Sequence, residues 1–258
     1  MRRKRFRTKP GTPPKQGFYI LPNLLTTASL FCGFYGLVAV LQQDFHRAAL
    51  AVVASFFFDG LDGRIARATR TTSQFGVEYD SLADLVAFGV TPAFLAFSWG
   101  LAHAGRLGWL AAFLFTACGA LRLARFNVQI HRVPKGYFRG LPIPAAAALV
   151  VTMVLFSSEV GWNPSPPTWV VLLTLYGLAF LMVSNVPYQS FKDMELVREK
   201  PFRALVSCVL LLVVILLNPP VTLFLLALAY ALSGPVELLK TKKKRVSVPE
   251  EGTQETTG

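Results

Sequence analysis

Hydrophobic residues occur along this chain in long continuous runs, which short polar segments rich in lysine and arginine separate. A helix that crosses a hydrocarbon core about 30 Å thick takes about 20 residues, and eight runs approach or exceed that length. They fall at Leu21–Leu41, Ala48–Ala66, Val77–Leu101, Gly108–Ala124, Ile143–Phe156, Trp169–Val186, Phe202–Leu217 and Val221–Leu239. The pattern predicts an all-α integral membrane protein, a polytopic bundle of about eight transmembrane helices.

Lysine and arginine alternate between the two sides of these predicted spans. Both tails are basic, and 24 of the 26 lysines and arginines fall in the tails and the loops after the second, fourth and sixth runs. Because basic loops stay on the cytoplasmic side, both termini are expected to be cytoplasmic and the number of spans even. Asn218, Pro219 and Pro220 predict a tight turn between the last two runs, so a six-helix core followed by a C-terminal hairpin fits equally well.

Composition supports the same class of protein. Hydrophobic residues make up 53% of the 258 residues and charged residues only 16%, which is too apolar for a soluble domain of this size. A net charge of +12 would suggest nucleic acid binding in a soluble protein, but membrane orientation explains it here, and no nucleic acid partner is expected. The three cysteines lie singly in apolar runs, which disfavours a disulfide scaffold or a zinc site.

These features divide the chain into three parts. Residues 1–19 form a basic cytoplasmic tail, residues 20–240 the membrane domain, and residues 241–258 a polar cytoplasmic tail that is expected to be disordered. The first apolar run is too long for a signal-peptide core and is expected to be retained.

Acidic residues are concentrated within two of the predicted membrane spans and the segment between them, where a charged side chain is energetically unfavourable. Five of the 14 lie within 26 positions: Asp59, Asp62, Glu78, Asp80 and Asp84. An ionised aspartate toward the bilayer centre costs at least about 2.5 kcal/mol on insertion scales, so such residues usually bind a ligand. Within each aspartate pair the spacing is three or four residues, which places both carboxylates on one helix face. The predicted topology brings both pairs to the cytoplasmic ends of neighbouring helices.

Four carboxylates that converge in this way repel each other unless cations lie between them. Oxygen ligands without histidine or cysteine select hard divalent ions such as Mg²⁺, Mn²⁺ or Ca²⁺. Magnesium held by carboxylates keeps coordination positions for water and for the phosphates of a substrate. The acids therefore predict a divalent metal site that accepts a phosphate-containing ligand.

The segment between the two acid pairs suits a diphosphate. Gly63, Ala66 and Gly76 are small and allow a ligand to come close to the backbone, although small residues can equally serve helix packing. Three arginines add positive charge beside the predicted metal site: Arg64, Arg67 and Arg70.

The complete pattern resembles the signature of the CDP-alcohol phosphatidyltransferases, Asp-x2-Asp-Gly-x2-Ala-Arg-x8-Gly-x3-Asp-x3-Asp. Every position and spacing is met by Asp59, Asp62, Gly63, Ala66, Arg67, Gly76, Asp80 and Asp84. The resemblance implies a membrane enzyme with two divalent ions, Mg²⁺ or Mn²⁺. Such an enzyme transfers a phosphatidyl group from a CDP-linked lipid to an alcohol and releases CMP.

The same resemblance implies a role for each residue of the pattern. Asp59, Asp62 and Asp80 correspond to metal ligands, and Asp84 to the general base, which also contacts metal. The residues that correspond to the binding site of the CDP group are Gly63, Ala66, Arg67 and Gly76. Asn23, near the cytoplasmic start of the first span, either contacts the nucleotide or caps its helix.

Three further stretches resemble the bacterial and archaeal phosphatidylserine synthase branch of that family. They are LPNLLT at Leu21–Thr26, ALRLARFNV at Ala120–Val128 and GLPIPAAA at Gly140–Ala147. This resemblance implies CDP-diacylglycerol and L-serine as substrates, a location in the cell (inner) membrane with the active site on the cytoplasmic side, and a homodimer.

Arginines at the end of the fourth span are candidates for binding the acceptor. Arg122 and Arg125 would lie at the cytoplasmic face, where a guanidinium can pair with the carboxylate of serine, and Asn127 would add an amide contact. The two arginines can equally be ordinary basic residues that fix the orientation of their span.

Two other functions remain open from the sequence. Arg132, Lys135 and Arg139 would suit an anionic acceptor, glycerol 3-phosphate or an inositol phosphate, within the same family. A cation transporter would also place acids in the membrane, but near its midplane and on several helices. Here the acids are expected on two helices at one membrane face, beside arginines.

Overall fold

The structure is a computed structural model, and it describes residues 20–69, 73–129, 137–161, 166–189 and 201–246. The helices are α1 (Ile20–Leu41), α2 (Phe45–Thr69), α3 (Gln74–Asp84), α4 (Thr91–Ala96), α5 (Gly105–Gln129), α6 (Ile143–Val160), α7 (Thr168–Val183), α8 (Pro201–Leu217) and α9 (Pro219–Val246). The predicted basic tail, residues 1–19, lies outside the described residues. So do residues 247–258 of the predicted C-terminal tail, whereas α9 continues through Val246.

The third predicted span is a helix of mixed geometry. A π-helical stretch, Leu85–Val90, joins α3 to α4, and a second one, Phe97–Leu101, follows α4. Pro92 has no N–H group to continue the α-helical ladder, and the N–H of Thr91 reaches back five residues to the carbonyl of Val86. The Thr91 hydroxyl lies 2.9 Å from the carbonyl oxygen of Gly33 and so ties this span to α1.

Gly105 reverses the chain after this span. Its φ of +58° is in the left-handed region that glycine tolerates best, and α5 then runs back along the π-helical stretch and α4. The continuous apolar stretch Gln74–Val128 is therefore a helical hairpin rather than one long rod.

Each of the eight predicted apolar runs is helical in the structure, except that the sixth, Trp169–Val186, leaves the helix after Val183. Four described stretches are long and apolar enough to cross a membrane: Ile20–Leu41, Gln74–Val128, Ile143–Val160 and Pro219–Leu238. Of the other helices, α2 carries the acids and arginines, and α7 and α8 are shorter. The all-helical membrane architecture is thus confirmed, whereas the number of eight spans and the side of the termini stay predictions.

Close backbone packing holds α1 against its neighbours. Ser29 and Ser55, both buried, each donate a hydrogen bond to the other's carbonyl oxygen, at 3.2 and 3.0 Å, and so join α1 to α2. A Cβ atom at Gly33 would lie 2.7 Å from the Cα of Ala87, so glycine permits direct contact between α1 and the π-helical stretch. As a result, α1 lies against both helices that carry the acids.

A small two-stranded sheet, the β1–β2 sheet, connects distant parts of the chain at one end of the bundle. Strand β1 (Tyr137–Arg139) pairs antiparallel with β2 (Pro187–Gln189), so the loops after α5 and α7 meet. Gly140 follows β1 with a φ of +83°, and a Cβ atom there would overlap the carbonyl oxygen of Met182. The glycine that begins the GLPIP stretch is therefore required by backbone geometry and by the lack of space for a Cβ atom.

Candidate active site

The four aspartates of the sequence pattern converge at one end of the bundle. Carboxylate oxygens of Asp59, Asp62 and Asp80 lie within 4.8 Å of one another. Asp84, one helical turn beyond Asp80, contacts the carboxyl group of Asp59 directly. We call these four residues the acid cluster.

The start of α3 places the second pair of acids. Ser73 caps the helix, since its hydroxyl accepts a 3.0 Å hydrogen bond from the N–H of Gly76. A Cβ atom at Gly76 would lie 3.1 Å from the Ser73 oxygen and 3.4 Å from Oδ1 of Asn23. The small residue thus lets the Asn23 side chain of α1 approach the beginning of α3, beside the acid cluster.

Asp62 is the most enclosed member of the acid cluster, with 4% of its surface exposed. The Thr26 hydroxyl of α1 donates a 2.7 Å hydrogen bond to its Oδ2 atom. A hydrogen bond of this kind fixes the orientation of a carboxylate, as is common for the ligands of metal sites. Sequence analysis missed this contact, although Thr26 lies in the LPNLLT stretch; its hydroxyl gave no separate signal because threonine is common in helices that bond it to their own backbone.

No lysine or arginine among the residues that the structure describes forms an ion pair with the acid cluster. The ion pair found there, Arg47–Asp44 at 3.1 Å, lies where α2 begins, away from the cluster. Four partly buried carboxylates without an ion-pair partner repel each other, and a bound cation relieves this repulsion while they stay ionised. An oxygen-only donor set of this kind fits Mg²⁺ or Mn²⁺.

The surface of α2 beside the acid cluster is open. Among the described residues, and apart from the helix's own backbone, a Cβ atom at Gly60 would have no neighbour within 4 Å. One at Gly63 would there meet only a guanidinium nitrogen of Arg67, at 3.9 Å. Arg64 and Arg67 are exposed, and Arg70 lies outside the described residues. The arrangement leaves room for a ligand with negative charge next to the carboxylates.

The structure separates the three predicted acceptor residues. Nε of Arg122 is buried without a hydrogen-bond partner within the described part of the chain, and its guanidinium interacts electrostatically with Asp84. Arg125 instead donates a 2.8 Å hydrogen bond to Oδ1 of Asn185, in the segment before β2.

Asn127 is engaged with α3. Its amide nitrogen donates to Oε2 of Glu78, at 3.2 Å, and to the hydroxyl of Ser81, at 3.0 Å. These contacts tie the end of α5 to α3. They also give a partner to Glu78, the fifth acid within the 26 positions, which lies outside the acid cluster.

Residues 19–183 match the family model described as CDP-alcohol phosphatidyltransferase. Three proteins named CDP-diacylglycerol–serine O-phosphatidyltransferase are similar to this chain. The one from Helicobacter pylori is 42% identical over 182 residues, which cover 70% of this chain and 77% of that protein. The Bacillus subtilis protein is 35% identical, covering 67% and 91%. The protein from Methanocaldococcus jannaschii is also 35% identical, covering 80% and 89%.

Removing the Thr26 hydroxyl should weaken metal binding. We expect Thr26→Val to raise the Kd for Mn²⁺ by about tenfold or more, because Asp62 loses the donor that orients it. Electron paramagnetic resonance of Mn²⁺ titrated into the purified protein measures this Kd independently of any activity.

Two control variants isolate the effect of the hydroxyl. Thr26→Ser keeps the donor, and Thr27→Val makes the same change one residue later, where the hydroxyl instead contacts Tyr79 at 2.9 Å. Both should bind Mn²⁺ like the unmodified protein. Equal affinity in Thr26→Val would show that this hydrogen bond plays no part in metal binding.

Proposed function

The chain belongs to the CDP-alcohol phosphatidyltransferase family, and on that premise we propose that it transfers the phosphatidyl group of CDP-diacylglycerol to L-serine. The products are phosphatidylserine and CMP. The observation that carries this proposal is the convergence of the signature aspartates in the acid cluster, whose member Asp84 interacts electrostatically with the Arg122 guanidinium. Relatives that are 35–42% identical bear the name of this activity.

The acid cluster would hold two divalent ions, Mg²⁺ or Mn²⁺, through Asp59, Asp62, Asp80 and Asp84. Ions held by these carboxylates would supply positive charge that neutralises the diphosphate and the departing CMP. Thr26 keeps the most buried of these carboxylates in one orientation. The protein therefore contributes a fixed set of oxygen ligands to the reaction.

Residues on α1, α2 and α3 would bind the CDP group next to these ligands. Gly63 and Ala66 would leave the surface of α2 accessible to the diphosphate, and the exposed Arg67 would supply N–H donors to phosphate oxygens. Gly76 lets the Asn23 side chain reach the beginning of α3, where it would contact the nucleotide.

Asp84 would act as the general base. It interacts electrostatically with the other three aspartates and with Arg122, so an acceptor held by that arginine would lie near the diphosphate. Asp84 accepts the proton of the serine hydroxyl as its oxygen forms a bond to the phosphatidyl phosphorus. The bond from this phosphorus to the oxygen of CMP breaks, and CMP leaves with its electron pair. We favour this direct attack over a covalent intermediate.

Arg122 is the best candidate for binding the carboxylate of serine. Its buried Nε atom needs an acceptor, and a carboxylate offers two oxygens in the geometry that guanidinium prefers. Arg125 and Asn127 already bond within the protein, so we assign them to positioning the end of α5. One guanidinium is enough to pair with the single carboxylate of an amino-acid acceptor. A phosphorylated acceptor carries more negative charge and favours several converging cations.

The membrane orientation that we propose places the acid cluster on the cytoplasmic side. The arginine-rich ends of α2 and α5 and the loops joined by the β1–β2 sheet lie at the same end of the bundle. The positive-inside rule assigns that end to the cytoplasm. Eight spans with both termini cytoplasmic are expected from the alternation of basic residues, whereas the cell (inner) membrane and a homodimer are expected from the family resemblance.

Serine-dependent release of CMP from CDP-diacylglycerol tests the proposed reaction. With Mg²⁺ or Mn²⁺, the purified protein should release CMP only when serine is present, and a chelator should abolish the release. Asp84→Asn should lower the rate by about a hundredfold or more, since the general base is lost. Asp44→Asn is the matched control, because it removes an acid at the turn between α1 and α2.

Other acceptors distinguish the remaining functions. Release with glycerol 3-phosphate or an inositol phosphate, but not with serine, would contradict serine as the acceptor while leaving the family reaction in place. Metal-ion flux into vesicles without CMP release under any condition would favour a transporter, which the placement of the acids at one end of two helices disfavours.

Arg122 and Arg125 should respond differently to substitution by lysine. Arg122→Lys should raise the KM for serine by about tenfold or more, because lysine cannot donate two parallel hydrogen bonds to a carboxylate. Arg125→Lys should change this KM by less than about threefold, and neither variant should alter the KM for CDP-diacylglycerol much. Equal effects of both variants on the serine KM would contradict the assignment of Arg122.

A further inference from the structure

Helix α9 lies beyond the residues that match the family model, yet it reaches the acceptor side of the site. Tyr230 of α9 is half-buried and interacts electrostatically with the guanidinium of Arg122. Arg122 interacts in turn with Asp84. A tyrosine from the C-terminal part of the chain and an aspartate of the acid cluster therefore interact with the same guanidinium.

Packing against the β1–β2 sheet fixes the position of Tyr230. Its ring packs against that of Tyr188, with centroids 5.7 Å apart and an interplanar angle of 42°. Tyr188 is fully buried in β2, and its hydroxyl donates a 2.9 Å hydrogen bond to the carbonyl oxygen of Ala231. Burial raises the pKa of Tyr188 to about 12, so this hydroxyl stays protonated and keeps its bond to α9.

Gly234 permits this close approach of α9 to strand β2. A Cβ atom at this position would lie 2.5 Å from Cζ of Tyr188 and 2.7 Å from Cγ1 of Val186. Any larger residue would push α9 away from β2. Because Arg125 of α5 bonds to Asn185, two residues before β2, the same contacts link Tyr230 to the helix that carries Arg122.

The groups that meet here suit one kind of ligand. Arg122 has a buried N–H group without a partner in the described part of the chain, and Tyr230 brings a phenol hydroxyl to the same guanidinium. A donor that is buried and unpaired is costly, so a ligand rich in acceptors is expected between the two side chains. A carboxylate has two oxygens and can accept from both.

We propose that Tyr230 determines acceptor specificity: with Arg122, it binds the carboxylate of the amino-acid acceptor. This inference rests on the proposed function and extends the acceptor pocket to a helix that the sequence pattern does not include. The phenol hydroxyl donates to one carboxylate oxygen, and it also keeps the Arg122 guanidinium turned toward Asp84.

Tyr230→Phe tests the role of the hydroxyl without removing the ring that packs on Tyr188. Using the full-length protein, CMP release is measured as serine and CDP-diacylglycerol are varied in turn. The KM for serine should rise by about tenfold, the loss expected for one hydrogen bond to a charged group, while kcat and the KM for CDP-diacylglycerol stay within about twofold. Tyr176→Phe is the matched control, because that hydroxyl contacts the carbonyl oxygen of Leu107, near the start of α5.

L-serinamide separates binding of the carboxylate from a structural effect. This acceptor keeps the hydroxyl and the amine but has no carboxylate, so Tyr230→Phe and the unmodified protein should use it equally. In the double variant with Arg122→Lys, the serine KM should rise by less than the product of the two single effects, because both side chains act on one carboxylate.

The outcomes that overturn this inference differ from those that overturn the proposed function. An unchanged serine KM in Tyr230→Phe, or the same loss with serinamide as with serine, would show that Tyr230 does not bind the carboxylate. Absence of serine-dependent release by the unmodified protein would instead refute the proposed function, and this inference with it.

Discussion

Repulsion among four carboxylates at the end of a helix bundle is the constraint on which the rest of this structure depends. Helix α1 opposes this repulsion, because it packs against both helices that carry the acids. The reciprocal serine bonds to α2 and the contact of Gly33 with Ala87 leave little freedom for these helices to separate. The same helix supplies the Thr26 hydroxyl to Asp62. The fold thus holds together an arrangement that is favourable only with cations bound.

The proposed acceptor side of the site has a different origin. Arg122 comes from α5, and Tyr230 comes from α9, more than a hundred residues later in the chain. The β1–β2 sheet links these elements, since β1 follows α5 and β2 packs through Tyr188 on α9. In the proposed function, the acid cluster binds metal and diphosphate, while Arg122 and Tyr230 bind the anionic acceptor. Asp84 interacts with the other aspartates and with Arg122, and we assign the proton transfer to it.

Much of this arrangement follows from sequence patterns that reflect local physics. The first predicted span, Leu21–Leu41, differs by one residue from α1, because the hydropathy of a lipid-facing helix is visible at every position. The helical spacing of the aspartates correctly predicts that their carboxylates meet. In contrast, the π-helical stretches, the β1–β2 sheet and the contacts of Thr26 and Tyr230 depend on partners far away in the chain. Arg122 and Arg125 look alike in sequence, yet they lie three residues apart on the helix and so point in different directions. Arg122 has a buried nitrogen without a hydrogen-bond partner among the described residues, whereas Arg125 bonds to an asparagine.

The central claim is that the acid cluster holds the diphosphate of a CDP-linked lipid through divalent ions. Anomalous scattering of Mn²⁺ in crystals grown with CDP tests it most directly. The account predicts Mn²⁺ within about 2.0–2.6 Å of carboxylate oxygens of Asp59, Asp62 and Asp80, with diphosphate oxygens on the same ions, and loss of this signal in Asp80→Asn. CDP bound elsewhere, or bound at the acid cluster without any Mn²⁺, would contradict the account.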